Sequence, residues 1–246
     1  MLKLGALPDI AECAADLYQG CNGSMARYRP GLRITSRIKA LVLSKDPQKS
    51  AGSERFDAAF YRRFYRARTT RVATFEDYTV RARLLASYAA LLRAPIRRIL
   101  DVGAGTGHFR KALLGYFKRA EYVGIEVSQY VCERHGWLNH SIVDYTPGRE
   151  FDLIVCHDVL QYLARADAIR AITNLNALCG HLLYCTVLTR EDWNDNCDQT
   201  RTDGDVNLRS VAWYRRRLAH DFRKLGTGVY VANRFACQLS ALDHPD

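Results

Sequence analysis

Gly103-Ala104-Gly105-Thr106-Gly107 directly follows the apolar run Ile99-Leu100-Asp101-Val102. Small residues at this spacing let a backbone turn tightly and approach a ligand closely, and a helix starting after the turn offers free N–H groups to an anionic part of that ligand. Glu126 stands 19 residues after Gly107, at the end of the next apolar run, where a carboxylate accepts hydrogen bonds from both hydroxyls of a ribose. Asp144 follows a third run, and a short acid there binds an adenine amino group. His157 and Asp158 close a fourth, Phe151–Cys156. With an unperturbed pKa of about 6.5, His157 suits proton abstraction at neutral pH; the reading set against it is that the ring contacts the ligand or packs beneath it.

The elements that must position these residues alternate strand and helix, the signature of a parallel sheet covered on both faces. Strands are predicted at 97–102, 121–126, 140–143, 151–157 and 181–188. Helices fall near 107–117, 128–135 and 166–178, the last stopped at Gly180. A helix at 210–225 comes next, followed by two strands, 228–233 and 234–242, joined by a turn at Asn233-Arg234. Upstream, Ser53 is a candidate N-cap for a helix whose face carries Phe56, Phe60, Tyr61, Phe64 and Tyr65. A second helix, about Phe75 to Leu92, places Val80, Leu84, Leu85, Tyr88 and Leu91 on one face, and Pro95 ends the region. This divides the chain into a basic, partly irregular arm at 1–52, a helical lid at 53–96 and a nucleotide-binding domain at 97–246.

The 246 residues, 48% hydrophobic and 25% charged, suit an ordinary globular protein rather than a disordered or fibrous one. The net charge of +10 is uneven: residues 1–100 hold 19 Lys/Arg against 8 Asp/Glu, and the remainder 17 against 18. In the arm, Ile34, Ile38, Leu41 and Val42 recur at helical spacing opposite Arg33, Arg37 and Lys39. The eight cysteines form no CxxC pair and no zinc quartet, so core thiols are expected and no metal. The acids Asp9, Glu12 and Asp16 interrupt the start of the chain, no segment reaches the roughly 18 apolar residues that span a bilayer, and a cytoplasmic location is expected.

Taken together, ILDVGAGTG, YVGIEVS, Asp144-Tyr145 and FDLIVCHDVLQYL resemble the successive motifs of the class I S-adenosylmethionine-dependent methyltransferases over roughly residues 97–190. That resemblance implies a Rossmann-like, seven-stranded sheet, mostly parallel with a terminal antiparallel hairpin. It further implies that Asp101, Gly103, Ala104, Gly105 and Gly107 form the cofactor loop, that Glu126 with Val127 holds the ribose, and that Asp144 and Tyr145 flank the adenine. His157 and Asp158 would lie beside the methionine part and the transferred methyl. The nicotinamide dehydrogenase fingerprint, by contrast, would put glycine at 108, where this chain has His108.

Methyl transfer needs a general base only when the acceptor must lose a proton, and His157 is the candidate. Tyr61, Tyr65 and Tyr162 are candidate acceptor contacts. So are Glu191, Asp192 and Trp193, in a stretch from Arg190 to Asp205 predicted to lack regular structure, where an acid–aromatic pairing suits a cationic or amine acceptor. Arg215, Arg216 and Arg217 form an exposed helix face. Two substrate classes follow: a small-molecule O or N acceptor beneath an aromatic lid, or an RNA or protein bound through Arg27, Tyr28, Arg29, Arg33, Arg37 and Lys39. No dedicated base-methylating tetrapeptide follows the fourth strand, which favours the small molecule.

Overall fold

A computed structural model describes residues 52–239. The arm at 1–51, with its basic amphipathic stretch, polyanion-binding candidates, Cys13 and Cys21, lies outside the described residues.

The sheet has seven strands in the order β3-β2-β1-β4-β5-β7-β6: β1 Arg98–Val102, β2 Glu121–Glu126, β3 Leu138–Asn139, β4 Phe151–His157, β5 Cys179–Thr186, β6 Phe222–Gly226 and β7 Val229–Ala232. β7 runs antiparallel to both β5 and β6, while the pairs among β1 to β5 are parallel. The central strands are apolar on both faces because helices cover both. Leu100, Val102, Ile154, Cys156, Leu183 and Cys185 point into one core, shared with α5 (Arg165–Leu178) and α7 (Val211–Leu218). Their neighbours Ile99, Leu153, Val155, Leu182 and Tyr184 point into the other, shared with α2 (Phe75–Leu91) and α3 (His108–Tyr116). The strand order reverses direction at β1 and β4, which opens a crevice at their C-terminal tips.

Several expectations need correction. Ser53 caps nothing through its side chain; Asp57 accepts from Phe60 N–H and starts α1 (Ala58–Tyr61), which continues as a π-turn over Arg62–Arg66. Thr74 and Asp77 form a capping box that starts α2 where the sequence predicts, but its buried stripe is Tyr78, Ala82, Leu85 and Ala89. Val80 and Leu91 of the expected face are 53% and 76% exposed, because the small alanines are what lets α3 approach. β3 ends before 140: Asn139 Nδ2 donates to the carbonyls of Glu126 and Val127, both at 3.1 Å, and the chain turns at Ser141. Gly180 is already inside β5, α5 having ended where Cys179 becomes extended. The stretch after β5 is not without structure, since Thr189 caps α6 (Arg190–Asp195). α7 stops at Leu218, and the hairpin pairs 222–226 with 229–232, turning at Thr227-Gly228 rather than at Asn233-Arg234. Arg215 and Arg216 are exposed as expected, whereas Arg217 lies over the Trp213 ring at 3.8 Å.

Candidate active site

After β1 the chain turns through Gly103 (φ 69°), Gly105 (φ 48°) and Gly107 (φ 75°), a left-handed backbone that L side chains rarely adopt. A Cβ on Gly103 would come 2.6 Å from Val159 Cγ2, so the loop after β4 closes directly on this turn. Gly103 and Ala104 N–H donate to Ile125 O at 2.9 and 3.1 Å, tying the turn to β2.

Glu126, at the tip of β2, is buried at 6% exposure. Its Oε1 accepts from Val127 N–H (2.8 Å) and Ser128 N–H (3.1 Å), and its Oε2 from Gly105 N–H (3.0 Å) and the Tyr61 hydroxyl (3.4 Å). Burial pushes its carboxyl above the usual range, and those hydrogen bonds oppose the shift. Asp101 accepts from the Tyr122 hydroxyl. Its burial raises its pKa to about 7, with the Tyr122 bond opposing and Glu126 adding to the rise.

His157 ends β4 against the rings of Tyr78, Phe109 and Tyr184. Burial there holds its pKa below the ordinary value, Asp158 opposing and Arg81 assisting, so the ring is neutral at pH 7. Its Nδ1 lies 2.5 Å from Thr186 Oγ1, which donates to Asp158 Oδ1 at 3.3 Å. In the tautomer that keeps the Thr186 hydroxyl proton on Asp158, Nδ1–H is the donor to Thr186 and Nε2 carries the lone pair. Nε2 stands 3.4 Å from Asp158 Oδ2. Asp158 itself has φ 56°, a strained conformation of the kind that clusters at functional sites.

The segment 53–66 roofs these tips. Ser128 Oγ–H donates to Phe56 O at 2.5 Å. Arg55 pairs with Asp203 (2.5 Å) and Asp205 (3.0 Å) while lying over the Phe56 and Tyr162 rings.

Two cavities result, of about 440 and 460 Å³, each in the range of a small-ligand pocket. The first is lined by Asp101, Gly103, Ala104, Gly105, Glu126, Val127, Asp144, His157 and Asp158, with Tyr61, Tyr65 and Tyr162 on its other side. Gly107 caps α3 behind it. Tyr145 does not reach the lining; it is buried in the core with α5, where its carbonyl accepts from Asn174. The second cavity adjoins the first along Tyr65, Val72, Arg81, His157, Asp158 and Tyr162. Of the three residues expected after β5, only Asp192 lines it. Glu191 accepts from Val211 N–H, and Trp193 packs its ring over Gly204.

Sequence reasoning misses Arg81 and Thr186. Thr186 was findable as the tip of β5. Arg81, the sole Lys or Arg among the described residues lining either cavity, sits on a polar position of α2 and carries no signal. Among the described residues no three His, Cys, Asp or Glu gather as a metal site, and no helix is long and apolar enough to cross a membrane.

Residues 100–181 match the family model of a methyltransferase domain. No curated protein sequence matches significantly. Magnesium protoporphyrin IX methyltransferase from Synechocystis, solved with bound SAM, aligns over 84% of this chain and 100% of its own at 14% identity, TM-score 0.53. An S-adenosylmethionine-dependent methyltransferase from Clostridium acetobutylicum aligns over 73% and 96% at 12% identity, TM-score 0.50. The plantazolicin methyltransferase BpumL, in complex with SAH, aligns over 59% of this chain at 13% identity, TM-score 0.49, and this chain spans 63% of that enzyme's length. For the first two, at such identities, the likeness is one of fold. The domain match, the strand order with its single antiparallel β7 and the glycine turn facing Glu126 agree: residues 100–181 match a methyltransferase domain, and the fold is that of the S-adenosylmethionine-dependent methyltransferases it resembles.

Proposed function

We propose that this chain binds S-adenosylmethionine in the first cavity and transfers its methyl group to a small-molecule O or N acceptor held in the second. The observation that carries this reading is the shared wall between the two cavities, where His157 and Asp158 face both.

The residues present fit the cofactor. The glycine turn leaves room where a Cβ would collide, and Glu126 offers a buried carboxylate to the ribose. Asp144 stands at the adenine end and Asp101 at the turn. Arg81, the cation of the lining, would meet the methionine carboxylate, while Val127 would border the ribose. When bound, the cofactor supplies an electrophilic methyl on a sulfonium. The protein's part is to hold an acceptor about 3–3.5 Å from that methyl with water excluded, and His157 Nε2 takes a proton where the acceptor must lose one. The helical segment 53–96 serves as the lid, its part before α2 and residues Tyr78 and Arg81 of α2 lining the cavities. The alternative RNA or protein acceptor rests on the arm, outside the described residues.

Isothermal titration of the full chain with SAM and with S-adenosylhomocysteine tests the reading. Micromolar binding of both is expected, with demethylated cofactor accumulating when acceptor pools are added. A flat titration would refute it.

A further inference from the structure

We infer that the second cavity selects a primary or secondary amine, bound as its ammonium ion by Asp158 and His157 inside a ring of aromatic side chains. This inference rests on the methyltransferase reading above and deepens it to a substrate class.

In the tautomer in which Thr186 donates to Asp158 Oδ1 and accepts from His157 Nδ1–H, His157 Nε2 and Asp158 Oδ2 stand as two acceptors 3.4 Å apart. Two acceptors at that separation repel unless a donor stands beside both. An ammonium group brings up to three N–H donors and a positive charge, which satisfies both. A hydroxyl brings one donor and no charge, and a carboxylate brings neither.

Charge and walls point the same way. The second cavity is lined by Asp158, Asp192 and Asp203 against the single cation Arg81. Asp203 is already paired with Arg55, and Asp192 accepts from both Thr189 and Asn196, whereas Asp158 accepts from Thr186 through Oδ1 and keeps Oδ2 for the acceptor. Arg81 also lines the first cavity and is assigned there to the cofactor's carboxylate. The Asp158 side chain is 47% exposed and opens onto both cavities. Phe64, Tyr65, Tyr162 and Tyr184 line the same cavity, and aromatic faces attract cations. The negative charge of Asp158 is felt by Tyr65, Tyr162 and Tyr184 alike, as its central position requires.

The step balances. The ammonium gives one N–H proton to His157 Nε2, and the resulting imidazolium pairs with Asp158. The freed nitrogen lone pair forms the new C–N bond as the methyl's bond to sulfur breaks, and that electron pair stays on sulfur. The product leaves as the methylated ammonium, and His157 returns its proton to solvent.

The test uses the full chain saturated with S-adenosylhomocysteine, which has no methyl to transfer. Benzylamine, benzyl alcohol and benzoate are titrated in turn by calorimetry and saturation-transfer NMR at neutral pH. Benzylamine is expected to bind at least tenfold more tightly than either of the others. Asp158→Asn, which tolerates the left-handed backbone, is expected to erase that preference. Equal binding of the three, tighter benzoate, binding of none, or a preference that survives Asp158→Asn would each overturn the amine assignment. S-adenosylhomocysteine is titrated first into wild type and variant: its failure to bind wild type defeats the methyltransferase reading itself, and its retention by Asp158→Asn shows that the first cavity still forms. With SAM in place, turnover of amines and not of phenols or carboxylic acids of the same size is expected, and the reverse order would also overturn the assignment.

Discussion

Replacing Glu126 by alanine strips the acceptor from three backbone N–H groups at once, those of Gly105, Val127 and Ser128 at 3.0, 2.8 and 3.1 Å, and from the Tyr61 hydroxyl at 3.4 Å. A buried donor left without a partner costs about 1–3 kcal/mol. The space vacated by the side chain admits water, so the lower figure applies and the three amides cost roughly 3 kcal/mol together. In a domain of this size each kcal/mol moves Tm by about 2–4 °C, which places the loss near 6–12 °C. The same carboxylate is assigned to the ribose. Hydrogen bonds to a charged group contribute about 1.5–3 kcal/mol each, but the cofactor must compete with amides that already occupy both oxygens, so a loss of affinity of at least about tenfold is expected rather than the full sum. Glu126→Gln keeps the shape and one oxygen, and falls between. Scanning calorimetry gives the stability and titration with S-adenosylhomocysteine gives the affinity. A lowered Tm with unchanged affinity would refute the ribose assignment and reduce Glu126 to a brace for the glycine turn.

Three further perturbations separate the remaining parts. Gly103→Ala combines a left-handed backbone, about 1–2 kcal/mol, with a collision against Val159 that adds a similar overpacking cost; adding Val159→Ala should recover the second part only, and a Gly103→Ala variant as stable as wild type in thermal melts would contradict the close approach. Burial raises Asp101 from 3.8 to about 7, so the native state keeps a proton that the unfolded chain has released. That contribution to stability is complete below about pH 4 and is lost as pH rises through about 7. Asp101→Asn should therefore gain Tm relative to wild type between about pH 5 and 8, and parallel melting curves across that range would count against it. His157→Ala should lower kcat by roughly 10²–10⁴-fold while cofactor affinity changes little. Because burial lowers the pKa of His157, the acid limb of the wild-type rate should lie below about pH 6.5, and equal losses of kcat and affinity in the variant would reassign the residue to cofactor binding.

The first cavity was legible because its residues sit at strand tips, and the strands are continuous apolar runs bounded by turn residues that leave few alternatives. Gly103, Glu126 and His157 could be placed on one crevice without any coordinates. The errors fall where one residue pattern serves two structures. Phe222 and Leu225 fit a helix face as well as a strand, and the hairpin was settled by Gly226-Thr227-Gly228, all three at positive φ. Ser141-Ile142-Val143 has the composition of a strand, but Asn139 uses its amide on the carbonyls after β2 and the chain bends toward the cavity instead. Tyr145 follows Asp144 in sequence yet points into the core, since neighbours in a turn need not share a face. Arg81 was invisible for a different reason: on a helix, only the tertiary fold decides whether a polar position meets solvent or a cavity. The second cavity is likewise a product of packing, assembled from the π-turn, α2, the tips of β4 and β5 and the segment after α6, and no local pattern announces it.

A crystal structure of the chain with S-adenosylhomocysteine tests the central claim most directly. Density is expected in the first cavity, with both ribose hydroxyls within hydrogen-bonding distance of Glu126, the amino-acid end near Arg81 and the sulfur directed toward His157 and Asp158. A nucleoside lodged elsewhere, or a cavity still closed by Tyr61 on Glu126 at saturating ligand, would contradict it.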